Sequence, residues 1–359
     1  MANIDLEAPG ASAARLRQAL RQAAGRPVAG IQRRHARVLA GIDSLTAGGG
    51  SPWSSMIPSL ATALKTRMGD GGVGLQFFDV LSAGYYAVAG TGGSLSNFIV
   101  DNPAWDSGAR SHSLCGRGVA FTSASGGSSG LDPGLAWDFC RVFFELGAGG
   151  SFSAVNGGAG AAGVNVSDST HPTGTLCAVD LQSAAGNTAL AVYGITGAVT
   201  LFSAEFINAS GGVTVSNCGL SGSLLSEHAS LDDGWARQWA AMLRPDVYML
   251  NGGMNDRYTA TPAGYSFLIN KVVDRWQSAG SEVLLIRPND SSDVASTYLA
   301  EYDRVLKATA ALRGCAFLDD RTVLGAYAVA SAAGYMSDLI HPSATGNALR
   351  GAAYAAEMM

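Results

Sequence analysis

Apolar and polar positions fall into three regimes along the chain. Between 11 and 37, Arg15, Arg17, Arg21, Arg26, Arg33, Arg34 and Arg37 are scattered among Ala, Leu and Gln, which predicts one or two short helices with a basic surface. Ala36 to Ile42 is a short, mostly apolar run that opens onto GIDSLTAGGG, and 51–68 then reads as a helix, giving a strand, loop and helix in succession. From about Gly69 to Gly212 the chain turns Gly- and Ser-rich, with short strand-like segments at Phe139 to Leu146, Thr175 to Leu181 and Ala189 to Tyr193. Short strands between frequent Gly turns predict an all-β module. Past Gly212 the alternation returns. Strands are predicted at Val213 to Ser216, Val247 to Asn251, Glu282 to Ile286 and Ala316 to Asp319. Helices are predicted near Asp232 to Leu243, Gly264 to Ala279, Ser296 to Leu312 and from about Ser343. That order specifies a three-layer α/β/α domain interrupted by a β insertion. The expected division is an N-terminal helical arm over 1–36, a discontinuous α/β domain over 37–74 and 212–359, and a β-sandwich-like or jelly-roll-like insert over 75–211.

Composition narrows the class. The 359 residues are 47% hydrophobic and only 14% charged, which excludes intrinsic disorder. Glycine, at 47 residues, is about twice its usual share and fits the turn-rich middle. A formal net charge of −5 offers no positive field for a phosphate backbone, so nucleic acid is not an expected partner. No apolar run approaches the ~20 residues of a membrane helix, and no secretory signal is visible. The expected location is extracellular or virion-associated, reached by another route. The basic arm reads as a solvated helix or tether, with attachment to a virion or a second copy as the alternative. Five cysteines without a CxxC predict buried free thiols. His35, His112, His171 and His228 lack metal-ligand spacing. No metal or organic cofactor is expected.

In an open parallel sheet ligands bind beyond the carboxyl ends of the strands, so polar residues just after each predicted strand are the first candidates for a site. Ser44, after the first strand, sits at a strand-to-helix turn that can present a hydroxyl beside outward-facing N–H groups. In SNCGLSGS, Gly222 has no Cβ and lets its N–H approach a developing oxyanion. In NGGMND, Asn255 offers a side-chain N–H to the same charge. In DLIHPSATG, Asp338 and His341 are three apart, close enough for the carboxylate to accept from the imidazole and fix its tautomer. Each has an ordinary structural reading as a cap, a turn glycine or a loop residue. Together they supply a nucleophile, two oxyanion donors, a base and its orienter. Gly126 to Gly130 fits a GxSxG elbow, but Leu131-Asp132-Pro133-Gly134 is a poor opening for the helix that elbow requires.

In these four blocks the sequence resembles the SGNH hydrolases, the GDSL esterase/lipase family, over about 37–68 and 212–359. The resemblance implies a flavodoxin-like three-layer fold with Ser44, Asp338 and His341 as catalytic residues and Ser44, Gly222 and Asn255 as the oxyanion hole. Two departures stand out. Ile42 occupies the glycine position of the family's Gly-Asp-Ser, and Ser44 and Gly222 lie 178 positions apart, room for a whole domain. In this the chain is similar to family members with a β domain that act on acetylated polysaccharides, and to esterases of phage tails. The implied activity is hydrolysis of short acyl, above all O-acetyl, esters on a carbohydrate. A lipase or thioesterase acting on longer acyl chains is the competing enzyme reading. A non-catalytic glycan-binding or virion structural protein on a hydrolase scaffold is the competing non-enzyme reading.

Overall fold

The computed structural model describes residues 14–15, 17–20, 27–28, 31–47, 55–78, 96–100, 112–114, 119–121, 127–156, 163–183, 188–220, 222–292 and 296–359, and every structural statement below is made of these. Cys115 lies outside them, as do the side chains of Ile42 and Ser44. In chain order the strands are β1 (Pro27–Val28), β2 (Ile31–Ile42), β3 (Gly74–Phe77), β4 (Ser96–Val100), β5 (Val119–Phe121), β6 (Gly127–Asp132), β7 (Phe139–Leu146) and β8 (Ser151–Asn156). They continue as β9 (Gly163–Ser167), β10 (Cys177–Gln182), β11 (Leu190–Thr196), β12 (Val199–Ile207), β13 (Gly212–Asn217), β14 (Val247–Asn251), β15 (Glu282–Arg287) and β16 (Ala316–Asp319).

Five strands form a parallel sheet in the order β13-β2-β14-β15-β16. β13, β14 and β15 are buried on both faces while the edge strand β16 is half-buried, and the period of two divides the side chains between two helical layers. Ala36, Val38, Ala40, Met249 and Ile286 pack with the helices Ile57–Met68 and Ala344–Met358. Leu39, Leu250, Val283 and Leu285 pack instead against Trp235, Trp239, Ile269 and Leu306 from the helices Asp233–Leu243, Pro262–Ser278 and Ser296–Arg313. This is the α/β/α sandwich expected from the sequence, with the flavodoxin-like order in which the first and third core strands, β2 and β14, are neighbours.

The middle of the chain forms two antiparallel sheets, β10-β7-β12-β3 with β5 on β12, and β4-β6-β11-β8-β9. Their facing sides share one apolar cluster, in which the Phe144 ring meets Phe152 edge-on at 4.9 Å. The segment read as a poor GxSxG elbow is part of β6, with Ser129 buried in the ladder. The insert can leave and rejoin the α/β core because its two ends run side by side: Gly71 N donates to Val213 O and Val213 N to Gly69 O. A Cβ on Gly212, at φ +129°, would stand 2.3 Å from Gly69 O, so this close approach needs glycine.

The N-terminal reading needs correction in one respect. Strand β2 begins at Ile31, inside the stretch read as a helical arm, and β1 pairs antiparallel with its first residues. Arg37 reads as one of a string of solvated helical cations. It lies instead in β2, where its guanidinium grips the buried Glu205 of β12 through Nε at 2.5 Å and Nη2 at 3.0 Å. Helix is present at 14–15 and 17–20, where Leu20 is buried in the core and Arg15 donates to Gly314 O. Four of the cysteines, Cys140, Cys177, Cys218 and Cys315, are buried free thiols. No helix among the described residues is long and apolar enough to cross a membrane.

Candidate active site

Three of the four candidate blocks leave the carboxyl ends of adjacent parallel strands β13, β2 and β14, where the chain order of the sheet reverses. Such a switch point is where open α/β sheets form their crevice. The Ser44 block follows β2 as the single helical turn Ser44–Ala47. Its neighbours are pinned by buried groups. Asp43 Oδ1 accepts from Leu45 N at 3.0 Å, Asp43 O accepts from Thr46 N at 3.1 Å, and Thr46 Oγ1 donates to Gly41 O at 3.2 Å. The Ser44 hydroxyl lies outside the described residues, as stated above.

Asp43 is 1% exposed, and its Oδ2 has no hydrogen-bond partner among the described residues. Burial pushes its carboxyl up to about 7, with Asp256 adding to the rise while the Leu45 N–H and the Arg350 guanidinium oppose it. A folded-state pKa above the unfolded one means the native protein holds this proton more tightly. The associated stability is complete below about pH 4 and is lost as pH rises through about 7. A rise from 3.8 to about 7 corresponds to on the order of 4 kcal/mol. Asp43→Asn should therefore flatten the fall in melting temperature between about pH 4 and 7. An unchanged slope in a differential scanning fluorimetry series would show that another group sets it.

The Gly222 and Asn255 blocks are joined to each other. After β13, Cys218 N donates to Ala40 O, and Asn217 Oδ1 accepts from Gly219 N, turning the chain towards Gly222 at φ +78°. A Cβ there would meet nothing within 4 Å, so the glycine answers to backbone conformation rather than to crowding. Asn255 Nδ2 donates to Ser223 O at 3.0 Å. Both carboxylate oxygens of Asp256 accept from Leu225 N at 3.0 Å. Burial raises the Asp256 carboxyl, with the Leu225 N–H pulling the other way. Asp256, next to the residue the sequence singles out, is thus a clamp between the two loops that the motif reading missed.

The fourth block lies in the loop before the closing helix. His341 Nδ1 and Asp338 Oδ2 are 2.8 Å apart, while Asp338 Oδ1 accepts from His341 N at 2.6 Å and Ile340 N at 2.7 Å. Partial burial works to raise the Asp338 carboxyl. The N–H groups of His341 and Ile340 and the His341 ring outweigh it and hold the group below the usual carboxylate range. An ionised partner at Nδ1 makes that nitrogen the donor and leaves Nε2 as the proton acceptor. The loop is tied to the end of β15, where Asn289 Nδ2 donates to Ile340 O at 2.8 Å and Ser292 N to Leu339 O at 3.0 Å. The structure thus carries all four blocks to one end of the sheet. Among the described residues no group of three or more His, Cys, Asp or Glu side chains could hold a metal ion.

A profile of the GDSL-like lipase/acylhydrolase family matches residues 149–349, more than half of the chain. The chain belongs to that family. The matched stretch contains Gly222, Asn255, Asp338 and His341 and begins after Ser44. This GDSL-like acylhydrolase is an esterase of the SGNH type by family. A solved peptidoglycan O-acetylesterase overlays on 98% of this chain and 96% of its own, with 18% identity and a TM-score of 0.74, and so shares its fold, β sheets included. Two further structures overlay on a smaller part. One is a protein assigned to the G-D-S-L lipolytic family from Desulfitobacterium hafniense DCB-2, with 20% identity, 40% of this chain, 81% of that one and TM-score 0.36. The other is an acetyl xylan esterase from Geobacillus stearothermophilus, with 21% identity, 41% of this chain, 73% of that one and TM-score 0.35. No curated protein matches the sequence.

Proposed function

We propose that this acylhydrolase is a serine esterase that removes O-acetyl and other short acyl groups from a carbohydrate polymer. Ser44 is the nucleophile, His341 the general base and Asp338 its orienter. The Gly222 N–H, the Asn255 side chain and the Ser44 N–H hold the oxyanion. The observation that carries the reading is the Asp338–His341 pair, held at the end of the sheet where the Ser44 turn leaves β2. His341 Nε2 takes the Ser44 proton as the hydroxyl oxygen attacks the acyl carbonyl. The protonated ring returns that proton to the departing sugar oxygen, and water then releases the acyl group by the same relay in reverse.

Asn255 Nδ2 has two hydrogens and Ser223 O takes one, which leaves the second for the developing negative charge. Replacing Asn255 by Ala should lower kcat about 10²- to 10³-fold, or ~2.7–4 kcal/mol, with a smaller effect on KM. Steady-state rates on p-nitrophenyl acetate check this, and a pure KM effect would remove Asn255 from the oxyanion hole.

The carbohydrate preference draws support from the peptidoglycan O-acetylesterase whose fold runs the length of this chain, and from the β sheets of 75–211, read as an inserted domain that presents the polymer. Acetate release from O-acetylated peptidoglycan and acetylated xylan, set beside p-nitrophenyl esters of rising chain length, tests the substrate class. The expected result is acetate from at least one glycan and a rate that falls as the acyl chain lengthens. Preference for long chains with no acetate from any glycan would reassign the protein to lipase or thioesterase chemistry.

A further inference from the structure

We propose that Arg350 and Asn347, both on the closing helix Ala344–Met358, are a positioning pair that sets the separation of the Ser44 turn from the His341 loop. The inference rests on the reading of Ser44 and His341 given above. Two carbonyls define it, those of Leu45 and Pro342, each one residue beyond the candidate nucleophile and base. Arg350 Nη1 donates to Leu45 O at 3.0 Å and to Asn347 Oδ1 at 2.7 Å. Asn347 Nδ2 donates to Pro342 O at 3.2 Å. A chain of two side chains therefore runs from the residue after Ser44 to the residue after His341.

The pair is built to be rigid. Arg350 is 0% exposed and Asn347 2%, so water does not compete for these bonds. Burial by itself is costly for the guanidinium charge. Asp320, itself 0% exposed, offsets that cost through a 2.9 Å bond from Nε, and Tyr354 OH donates to the other carboxylate oxygen of Asp320. Asp320 thus satisfies the buried charge from the far side, and the Nη1 end is directed at the site. A planar guanidinium presents its donors in a fixed fork, whereas a lysine ammonium would float as a point charge. On the His341 side the loop has its own anchors in Asn289 and in Ser337, whose N and Oγ both donate to His341 O. On the Ser44 side, Leu45 N is already fixed by Asp43. Each loop is thus held locally, and Arg350 with Asn347 connects the two. Displacement of reacting groups by about 1 Å costs on the order of 10²-fold in rate, so such a connection acts on turnover before it acts on stability.

The test uses the full chain with Asn347→Ala and Asn347→Leu. Both cut the link to Pro342 and leave the Arg350–Asp320 pair intact, and the second fills the vacated volume. Turnover of p-nitrophenyl acetate and melting temperature are measured for each, with Ser44→Ala as the control. The expected result is a kcat lower by about 10- to 100-fold, KM within about twofold of wild type, and near-wild-type melting in at least one variant. A wild-type kcat, a change confined to KM, or unfolding of both variants would overturn the proposal, because the pair would then serve the fold alone. If hydrolysis survives Ser44→Ala, the failure lies in the assignment of the nucleophile, and the pair has no nucleophile to position.

Discussion

Replacing Ser44 by Ala should lower the turnover of p-nitrophenyl acetate by about 10⁴- to 10⁶-fold and leave the melting curve in place. The size follows from the role. Without the hydroxyl no acyl-enzyme forms, and what remains is stabilisation of the transition state by the oxyanion donors acting on water. The silence of the fold follows from the surroundings. The turn is held by Asp43, by the Arg350 bond to Leu45 O and by Thr46, none of which uses the Ser44 side chain, and Ala at the first position of the helical turn is a good helix former. Rates and thermal melts of the purified pair of proteins check both halves. A loss of activity matched by a loss of melting temperature would point to a folding role.

Asp338→Asn should cost about 10⁴-fold in kcat, nearly as much, through a different cause. In the wild type Asp338 Oδ2 lies 2.8 Å from His341 Nδ1 while Oδ1 accepts two backbone N–H groups. An Asn whose oxygen keeps those two backbone bonds turns its NH₂ towards Nδ1. The ring then accepts at Nδ1, carries its proton on Nε2, and cannot take one from Ser44. Because its carboxyl is held below the ordinary range, Asp338 stays ionised through neutral pH. Its contribution to the ordered loop is present above that range and lost only as the solution becomes strongly acidic. The variant should fold normally at pH 7 and remain slow at every pH above it. Recovery of wild-type kcat at alkaline pH would contradict the tautomer argument.

Much of the architecture is legible in the residues because core strands of a parallel sheet are apolar on both faces. Val247 to Asn251 and Ala316 to Asp319 stand out as runs between helical patterns, and the structure gives them the same limits. Phe139 to Leu146 is equally plain, since its large side chains fill two cores, with Phe143 facing the helices and Phe144 facing the second β sheet. The strand Gly127–Asp132 carries Gly and Ser where an alternating apolar pattern would be, and only its partners make it a strand. The start of β2 was hidden for another reason. Arg37, following other arginines and alanines, looks like part of a solvated helix unless its buried carboxylate partner, Glu205, is known.

The proposed site divides in the same way. Ser44, Gly222, Asn255, Asp338 and His341 could be picked out because each follows a strand or sits in a short polar block whose letters have a chemical meaning together. Asp256, Asn289, Asp320, Asn347 and Arg350 could not. Arg350 reads as an ordinary polar position on an amphipathic helix, and its bond to Leu45 O spans 305 positions of chain. Tertiary packing turns such a residue from a surface cation into a buried fork, and nothing in its sequence neighbourhood signals the change.

The central claim is that Ser44 is the nucleophile, and the most direct measurement is the site of covalent capture. Wild-type protein is treated with a fluorophosphonate, digested, and the modified peptide identified by mass spectrometry. The account predicts a single adduct on Ser44, slowed strongly in Asp338→Asn and absent in Ser44→Ala. An adduct on another serine, or hydrolysis of p-nitrophenyl acetate by a protein that never labels, would contradict it.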